Sequence, residues 1–371
     1  MERRALRIQD PVERLRFLRR EVSAAPVHAA RRRKLMQLGG ATLALIMAIA
    51  SGSLSSRTAE ATTEAPRREH RPPTEAPVAG APAPALPRIW RVEHSDALEL
   101  YSNGLRVDLT FTVANRPRAH FPIFPLTGST GATRTGTAPV GIVYHTTESH
   151  LVPFQEDENR RLKQLGRNLL ELIRRERCYH YVIDRFGRVF RVVEESDAAN
   201  HSGNSVWADA GGVYVNLNDS FLGVSFEGQT GAVDEVTPAQ MTAAKVLTEM
   251  LRARYNIRAE NCVTHAQVSV NPLNMRIGSH VDWASKFSFA ALGLPDNYAI
   301  PLPSLYAFGF GYDTVFLQVT GQRWKGLDLA ERQVENQAAA EGLSVPRYRA
   351  ILQHRYKDIA AALKQQSEGG S

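Results

Sequence analysis

The chain has 371 residues, 43% of them hydrophobic and 22% charged, a balance that suits a folded enzyme and excludes collagen, coiled coil and wholesale disorder. Its formal charge of +7 fits an acidic polymer partner such as nucleic acid, anionic lipid or cell wall, and chooses none of them. With only Cys178 and Cys262 it has neither a disulfide framework nor a four-thiolate metal site; the two are either a pair or separate buried thiols.

Residues 1–34 are rich in arginine and end in Arg31-Arg32-Arg33-Lys34, ahead of sixteen uncharged residues from Leu35 to Ala50. A basic flank, a short apolar run and Ala48-Ile49-Ala50 read as an export signal within 1–56. The run is slightly short for a comfortable spanning helix of about 20 residues, which favours cleavage over anchoring. In either case the basic flank stays in the cytoplasm and the rest is exported, so the expected location is the periplasm or cell envelope. Arg32-Arg33-Lys34-Leu35-Met36 also resembles a twin-arginine signal.

Residues 57–88, with Ala81-Pro82-Ala83-Pro84, read as a flexible linker because they offer little to offset the entropy of ordering. A β-rich extension is expected over 89–137, with a hairpin turning at Asn103-Gly104. Over 138–295 strands and helices interleave. Val140–Tyr144 and Phe221–Phe226 read as strands, and Tyr179–Asp184 with Arg188–Val193 as a hairpin. Leu162, Leu165, Leu169 and Ile173 recur at helical spacing, and Thr237-Pro238-Ala239-Gln240 is a capping box opening a second helix. Cys262–Thr264 is a last short strand. This order predicts an α/β domain with a mixed sheet flanked by helices. Residues 296–371 read as a C-terminal helical extension, with Tyr348, Ile351, Leu352, Tyr356, Ile359 and Leu363 as one apolar stripe packed on the core.

Three residues stand where metal chemistry needs them. His145 ends one apolar strand, His265 ends another, and Asp282 follows seventeen residues further on. Two imidazoles and a carboxylate form a borderline-soft set suited to Zn²⁺, with the fourth position left for water. Spacing alone does not separate these histidines from satisfied strand-end residues.

Five pieces in order carry a resemblance: Val143-Tyr-His-Thr-Thr, Tyr179-His-Tyr-Val-Ile-Asp-Arg-Phe-Gly-Arg-Val, Ala198-Ala-Asn-His-Ser-Gly, Leu222-Gly-Val-Ser-Phe-Glu-Gly and Thr264-His. Together, residues 138–289 resemble the zinc-dependent amidase family that includes phage-lysozyme-type amidases and peptidoglycan recognition proteins. The resemblance implies that His145, His265 and Asp282 hold Zn²⁺, that Tyr179 stands near the metal water, and that His201 lines the cleft and donates to substrate. It implies hydrolysis of the amide between N-acetylmuramic acid and L-alanine of the peptidoglycan stem peptide, with peptidoglycan or muropeptides as partner.

Two departures matter. Recycling-type members carry a glutamate where this chain has Ser225; Glu227, two residues on and on the same strand face, is the fallback. His280 stands where several members have lysine, and Trp283-Ala284 follows Asp282 where Pro-Gly is common. His280 is therefore expected as oxyanion or leaving-group acid, and the third ligand stays open between it and Asp282. The competing readings are a wall-binding module without catalysis and a zinc hydrolase of another envelope amide. No nucleic-acid motif is present, membrane contact is expected only through the N-terminal signal, and a monomer is expected.

Overall fold

The computed structural model describes residues 86–118, 120–230 and 236–369. The basic segment and apolar run within 1–56, and the linker through residue 85, lie outside the described residues. No helix among the described residues is long and apolar enough to cross a membrane.

The N-terminal strands are β1 (Arg91–His94), β2 (Leu98–Tyr101) and β3 (Arg106–Asp108), followed by the small pair β4 (Phe121–Ile123) and β5 (Arg134–Gly136). Asn103-Gly104 turns β2 into β3, with Gly104 at φ +85, a left-handed conformation that glycine adopts without a Cβ penalty. The central strands are β6 (Gly141–Thr146), β7 (Tyr181–Ile183) and β8 (Val189–Arg191). Further along come the hairpin β9 (Val206–Asp209) and β10 (Gly212–Val215), then β11 (Phe221–Phe226) and β12 (Cys262–Thr264).

Eight strands form one mixed sheet in the order β1-β2-β3-β8-β7-β11-β6-β12. β7, β11, β6 and β12 run parallel, and β3 joins β8 in parallel. Of the β-rich extension, β1–β3 are thus an edge of the central sheet, while β4 and β5 pair only with each other. β6, β11 and β12 are buried at every residue, as expected of parallel strands covered on both faces.

Helix α1 (Asn159–Glu176) covers one face, packing Leu169, Leu170 and Ile173 on Val182, Phe190 and Tyr179. Helix α2 (Pro238–Tyr255) covers the other, packing Leu247, Met250 and Leu251 with Tyr144, Val224 and Phe226. Its start is the expected capping box: Thr237 Oγ1 accepts from the Gln240 amide at 3.1 Å, and Gln240 Oε1 accepts from the Thr237 amide at 3.1 Å. Cys178 lies in the α1-side core and Cys262 in the α2-side core, so no disulfide joins them.

Beyond the sheet, a two-stranded ribbon, β13 (Val270–Asn271) and β14 (Arg276–Ile277), precedes the loop bearing Asp282. The short helix α3 (His265–Val268) lies between β12 and that ribbon. Helices α4 (Pro303–Tyr306), α5 (Thr314–Thr320), α6 (Lys325–Ala340) and α7 (Val345–Gly369) complete the chain. They share one core with the β9–β10 hairpin, joining Val206, Val213, Phe308, Phe310, Trp324 and Tyr356. Of the expected stripe on α7, Ile351 is 50% exposed and faces away from this core. Trp207 is fully buried and donates from Nε1 to Asn261 Oδ1 at 3.1 Å.

Candidate metal centre

Ligands in open parallel sheets gather at the carboxyl ends of the strands. His145 is the fifth residue of β6, and Thr264, the last of β12, pairs with Tyr144, so His265 follows beside His145. A second capping box sets His265 at the first position of α3, where Gln267 Oε1 accepts from the Thr264 amide at 2.9 Å. Asp282 comes from the loop after β14, where its carbonyl accepts from the Ala266 amide at 3.2 Å. Trp283, the next residue, has φ +59, a strained conformation for a bulky residue. The C-terminal segments hold that turn: Tyr298 donates to the Trp283 carbonyl at 2.5 Å, and Trp324 Nε1 to the Ala284 carbonyl at 3.1 Å.

His145, His265 and Asp282 are buried, and one ligand atom from each lies within 4.8 Å of the other two. Asp282 Oδ2 is 3.2 Å from His145 Nδ1, and Asp282 Oδ1 is 3.0 Å from His265 Nδ1. Tetrahedral zinc with bonds of about 2.0–2.1 Å separates its ligand atoms by roughly 3.3 Å, close to this spacing.

The proton arrangement follows from fixed acceptors. The Phe221 carbonyl, 3.2 Å from His201 Nε2, only accepts, so that nitrogen carries the proton. Burial, with the neighbouring His145, His180 and His265 rings, holds the His201 imidazole well below its ordinary pKa and therefore neutral. Its Nδ1 is then bare and accepts from His145 Nε2 at 3.1 Å, which directs His145 Nδ1 towards Asp282. His265 Nε2 faces the Ser202 carbonyl at 3.4 Å and by the same argument carries the proton, leaving its Nδ1 bare as well. Burial lowers the His265 pKa to about 4, against the opposing pull of Asp282. Burial alone would raise the Asp282 carboxyl, but the His265 and His145 rings outweigh it and hold it well below the carboxylate range. Two imidazole nitrogens thus converge on an ionised carboxylate, a ligand set that suits a divalent cation, with both outer nitrogens held as in known zinc sites.

The remaining expected residues fall around this cluster. The Tyr179 ring is buried with its centroid 5.1 Å from that of His145. His280 stacks on His265 at 4.3 Å and 19°, with its amide held by Ser269 Oγ at 2.9 Å. It supports a ligand ring, while Asp282 engages both histidines. His201 commits both ring nitrogens within the protein, so its geometry serves His145 and not a substrate. Glu227 is buried at the end of β11, but its carboxylate accepts from the Arg185 amide at 3.1 Å and lies against Gly166 of α1. Burial raises its pKa, opposed by that amide bond.

Three further residues position the centre, of which the sequence offers Asn218 only as a residue that lines the cleft or the surface. Asn218 Oδ1 accepts from the His201 amide at 3.0 Å and from the Ser202 amide at 2.8 Å, fixing the loop that carries both partners of the histidines. Ser202 supplies the carbonyl opposite His265. Gly223 leaves space for His201: a Cβ there would lie 2.6 Å from His201 Cγ. A glycine inside the buried strand Phe221–Phe226 is itself a sign of close approach.

Residues 135–282, which include all three ligand candidates, match the family model described as N-acetylmuramoyl-L-alanine amidase. The chain is similar to N-acetylmuramoyl-L-alanine amidase AmiD of Escherichia coli (strain K12), 33% identical over 89 residues, 22% of this chain and 31% of that protein. It therefore spans about a third of that curated relative's length. Among solved structures, the N-acetylmuramoyl-L-alanine amidase LysC from Clostridium intestinale URNW is 22% identical, covering 42% of this chain and 82% of its own, with a TM-score of 0.27. A complex of E. coli AmiD with the substrate anhydro-N-acetylmuramic acid-L-Ala-D-gamma-Glu-L-Lys is 19% identical, covering 58% and 74%, with a TM-score of 0.32. The likeness to the family described as N-acetylmuramoyl-L-alanine amidase is thus carried by residues 135–282.

Proposed function

We propose that this chain is a zinc-dependent N-acetylmuramoyl-L-alanine amidase that cuts the amide between the lactyl group of N-acetylmuramic acid and L-alanine of the peptidoglycan stem peptide. The observation that carries the reading is the convergence of His145 Nδ1 and His265 Nδ1 on the Asp282 carboxylate within the matched segment. These three would hold the zinc. Chemistry supplied by zinc in a three-ligand site is Lewis acidity towards a carbonyl and acidification of water.

The chain's own groups divide the remaining work. His201 keeps His145 in the tautomer that presents Nδ1, and Asn218 holds His201. Tyr179, beside the His145 ring, orients the attacking water. His280, stacked on His265, stabilises the developing oxyanion or returns a proton to the leaving amine. The apolar run of 35–50 with its basic flank supports export, so the substrate is the wall outside the cytoplasmic membrane. Digestion of purified wall with the full chain tests the reading. New N-terminal L-alanine, abolished by chelation and restored by zinc, is expected. Wall binding with no new amino termini would instead make it a recognition module, and any other new terminus a different envelope hydrolase.

A further inference from the structure

Residues 113–118 precede the matched segment 135–282, yet they run beside the stretch that leads into the His201 loop. Val113 bridges Val193, and Pro117 bridges Asp197. The Arg118 amide donates to the Ser196 carbonyl at 2.9 Å, and the Ala198 amide to the Arg116 carbonyl at 3.1 Å. Asn115 donates from its amide to Asp197 Oδ2 at 2.7 Å and from Nδ2 to the Ala198 carbonyl at 2.6 Å. Three residues after Ala198 comes His201, the ring that orients His145.

The Arg118 side chain extends this contact to a second segment. Its Nη2 donates to the Glu195 carbonyl at 3.0 Å and the Asp197 carbonyl at 3.1 Å, and its Nη1 to the Asp219 carbonyl. A planar guanidinium with five donors spans three carbonyls in this way, which an ammonium point charge does not. Asp219 follows Asn218, whose Oδ1 accepts from the His201 and Ser202 amides. The two segments are thus tied twice, by Arg118 at one end and by Asn218 at the other.

A third contact leads to the strand beneath His201. Arg118 Nη2 lies 3.1 Å from His180 Nε2, and both nitrogens converge on the Asp197 carbonyl. The Gly223 amide, which only donates, lies 2.9 Å from His180 Nδ1, so Nδ1 accepts and Nε2 carries the proton. The His180 amide in turn donates to the Gly223 carbonyl at 3.0 Å. His180 therefore holds both backbone groups of Gly223, the residue against which the His201 ring packs.

We infer that Arg118 is a positioning residue for the metal centre: by setting the spacing of segments 195–198 and 218–219 it fixes the His201 ring that orients His145. The N-terminal extension thereby braces a centre whose three ligand candidates all lie in the matched segment. The inference rests on the zinc reading of that centre.

The test is zinc affinity, read by competition with a chromophoric chelator, in a cycle of four full-length chains: wild type, Arg118→Met, His201→Ala and the double variant. Arg118→Met keeps the apolar stem and removes every donor of the guanidinium. It should weaken zinc binding by about tenfold, the lower end of the cost of losing a supporting partner. In the His201→Ala background the same change should alter affinity by less than about twofold, because the ring through which Arg118 acts is gone. Arg118→Lys keeps the charge without the planar fork and should lose nearly as much; it decides alone if the methionine variant does not fold. A lowered urea midpoint with unchanged zinc affinity, or an equal loss of affinity in both backgrounds, overturns the inference and leaves the zinc reading standing. A wild-type chain that binds no zinc overturns both.

Discussion

His201 Nδ1 lies 3.1 Å from His145 Nε2, and the proton between them is directed from the far side of the His201 ring by the Phe221 carbonyl. This chain of acceptors turns His145 Nδ1 towards Asp282. His201→Ala removes the acceptor and frees the His145 ring to turn or change tautomer. Metal affinity should then fall by about 10–100-fold, the usual cost of losing such a supporting partner. Competition with a chromophoric chelator measures it, and an unchanged affinity would show that the packing of β6 alone orients His145.

Gly223 is the steric counterpart of that contact. A methyl group at 223 would lie 2.6 Å from His201 Cγ and 2.9 Å from its Cβ, inside any real carbon contact. Gly223→Ala should therefore destabilise the fold by about 1–3 kcal/mol, the range for overpacking a filled core. Activity should fall further than the stability loss accounts for, because the ring that gives way is His201. In the double variant with His201→Ala the ring atoms are gone, so the combined stability loss should be smaller than the sum of the two. Strict additivity in denaturant midpoints would mean that the added methyl strains β11 itself.

Much of this arrangement is legible in the sequence because local chemistry dictates it. Asn103-Gly104 turns where left-handed backbone is needed, and Thr237 to Gln240 closes its capping box. Val140–Tyr144 and Cys262–Thr264 are short β-branched runs that end beside the two histidines. What escaped depends on contacts between distant segments. The β9–β10 hairpin has a tight turn over Ala210-Gly211, yet its Trp207 reads as a surface aromatic until Asn261, 54 residues away, provides an acceptor for the indole. His201 reads as a loop histidine facing substrate, because nothing local announces that its two nitrogens meet residues 145 and 221. The boundary drawn at 295 crosses one continuous core, since Tyr298 and Trp324 hold the turn that follows Asp282.

The sequence alone left the third ligand open between Asp282, which it favoured, and His280, and the two differ in their contacts. Asp282 touches both histidine nitrogens, whereas His280 lies parallel to His265 with its backbone anchored on Ser269. Asp282→Ala should lose zinc and activity together. His280→Ala should keep about one zinc per chain while kcat falls by roughly 10²-fold, the scale of losing one acid or oxyanion group. Metal analysis beside kinetics distinguishes the two. Loss of zinc from the His280 variant, with retention in the Asp282 variant, would reverse the assignment.

Glu99 ties the N-terminal edge of the sheet to its centre and gives the fold a defined acid limb. It is 1% exposed on β2, accepts from Tyr101 at 2.7 Å and Arg91 at 2.9 Å, and pairs with Arg191 of β8. Burial alone would raise its carboxyl, but the bonds from Tyr101 and Arg191, with the Arg191 charge, outweigh it and hold the pKa at about 2, down from 4.5. A carboxyl whose folded pKa lies below its unfolded one stabilises the fold fully above the unfolded value, and that stability is lost as pH falls through the folded value. The contribution should therefore be complete above pH 4.5 and fade towards pH 2. Glu99→Gln keeps the shape and removes the charge, so its denaturant midpoint should fall near neutrality while its acid limb becomes shallower. The wild-type and variant curves should converge between pH 4.5 and 2 in a series of urea titrations. Curves that stay parallel across that window would assign the acid sensitivity to other carboxylates and leave Glu99 only a packing role.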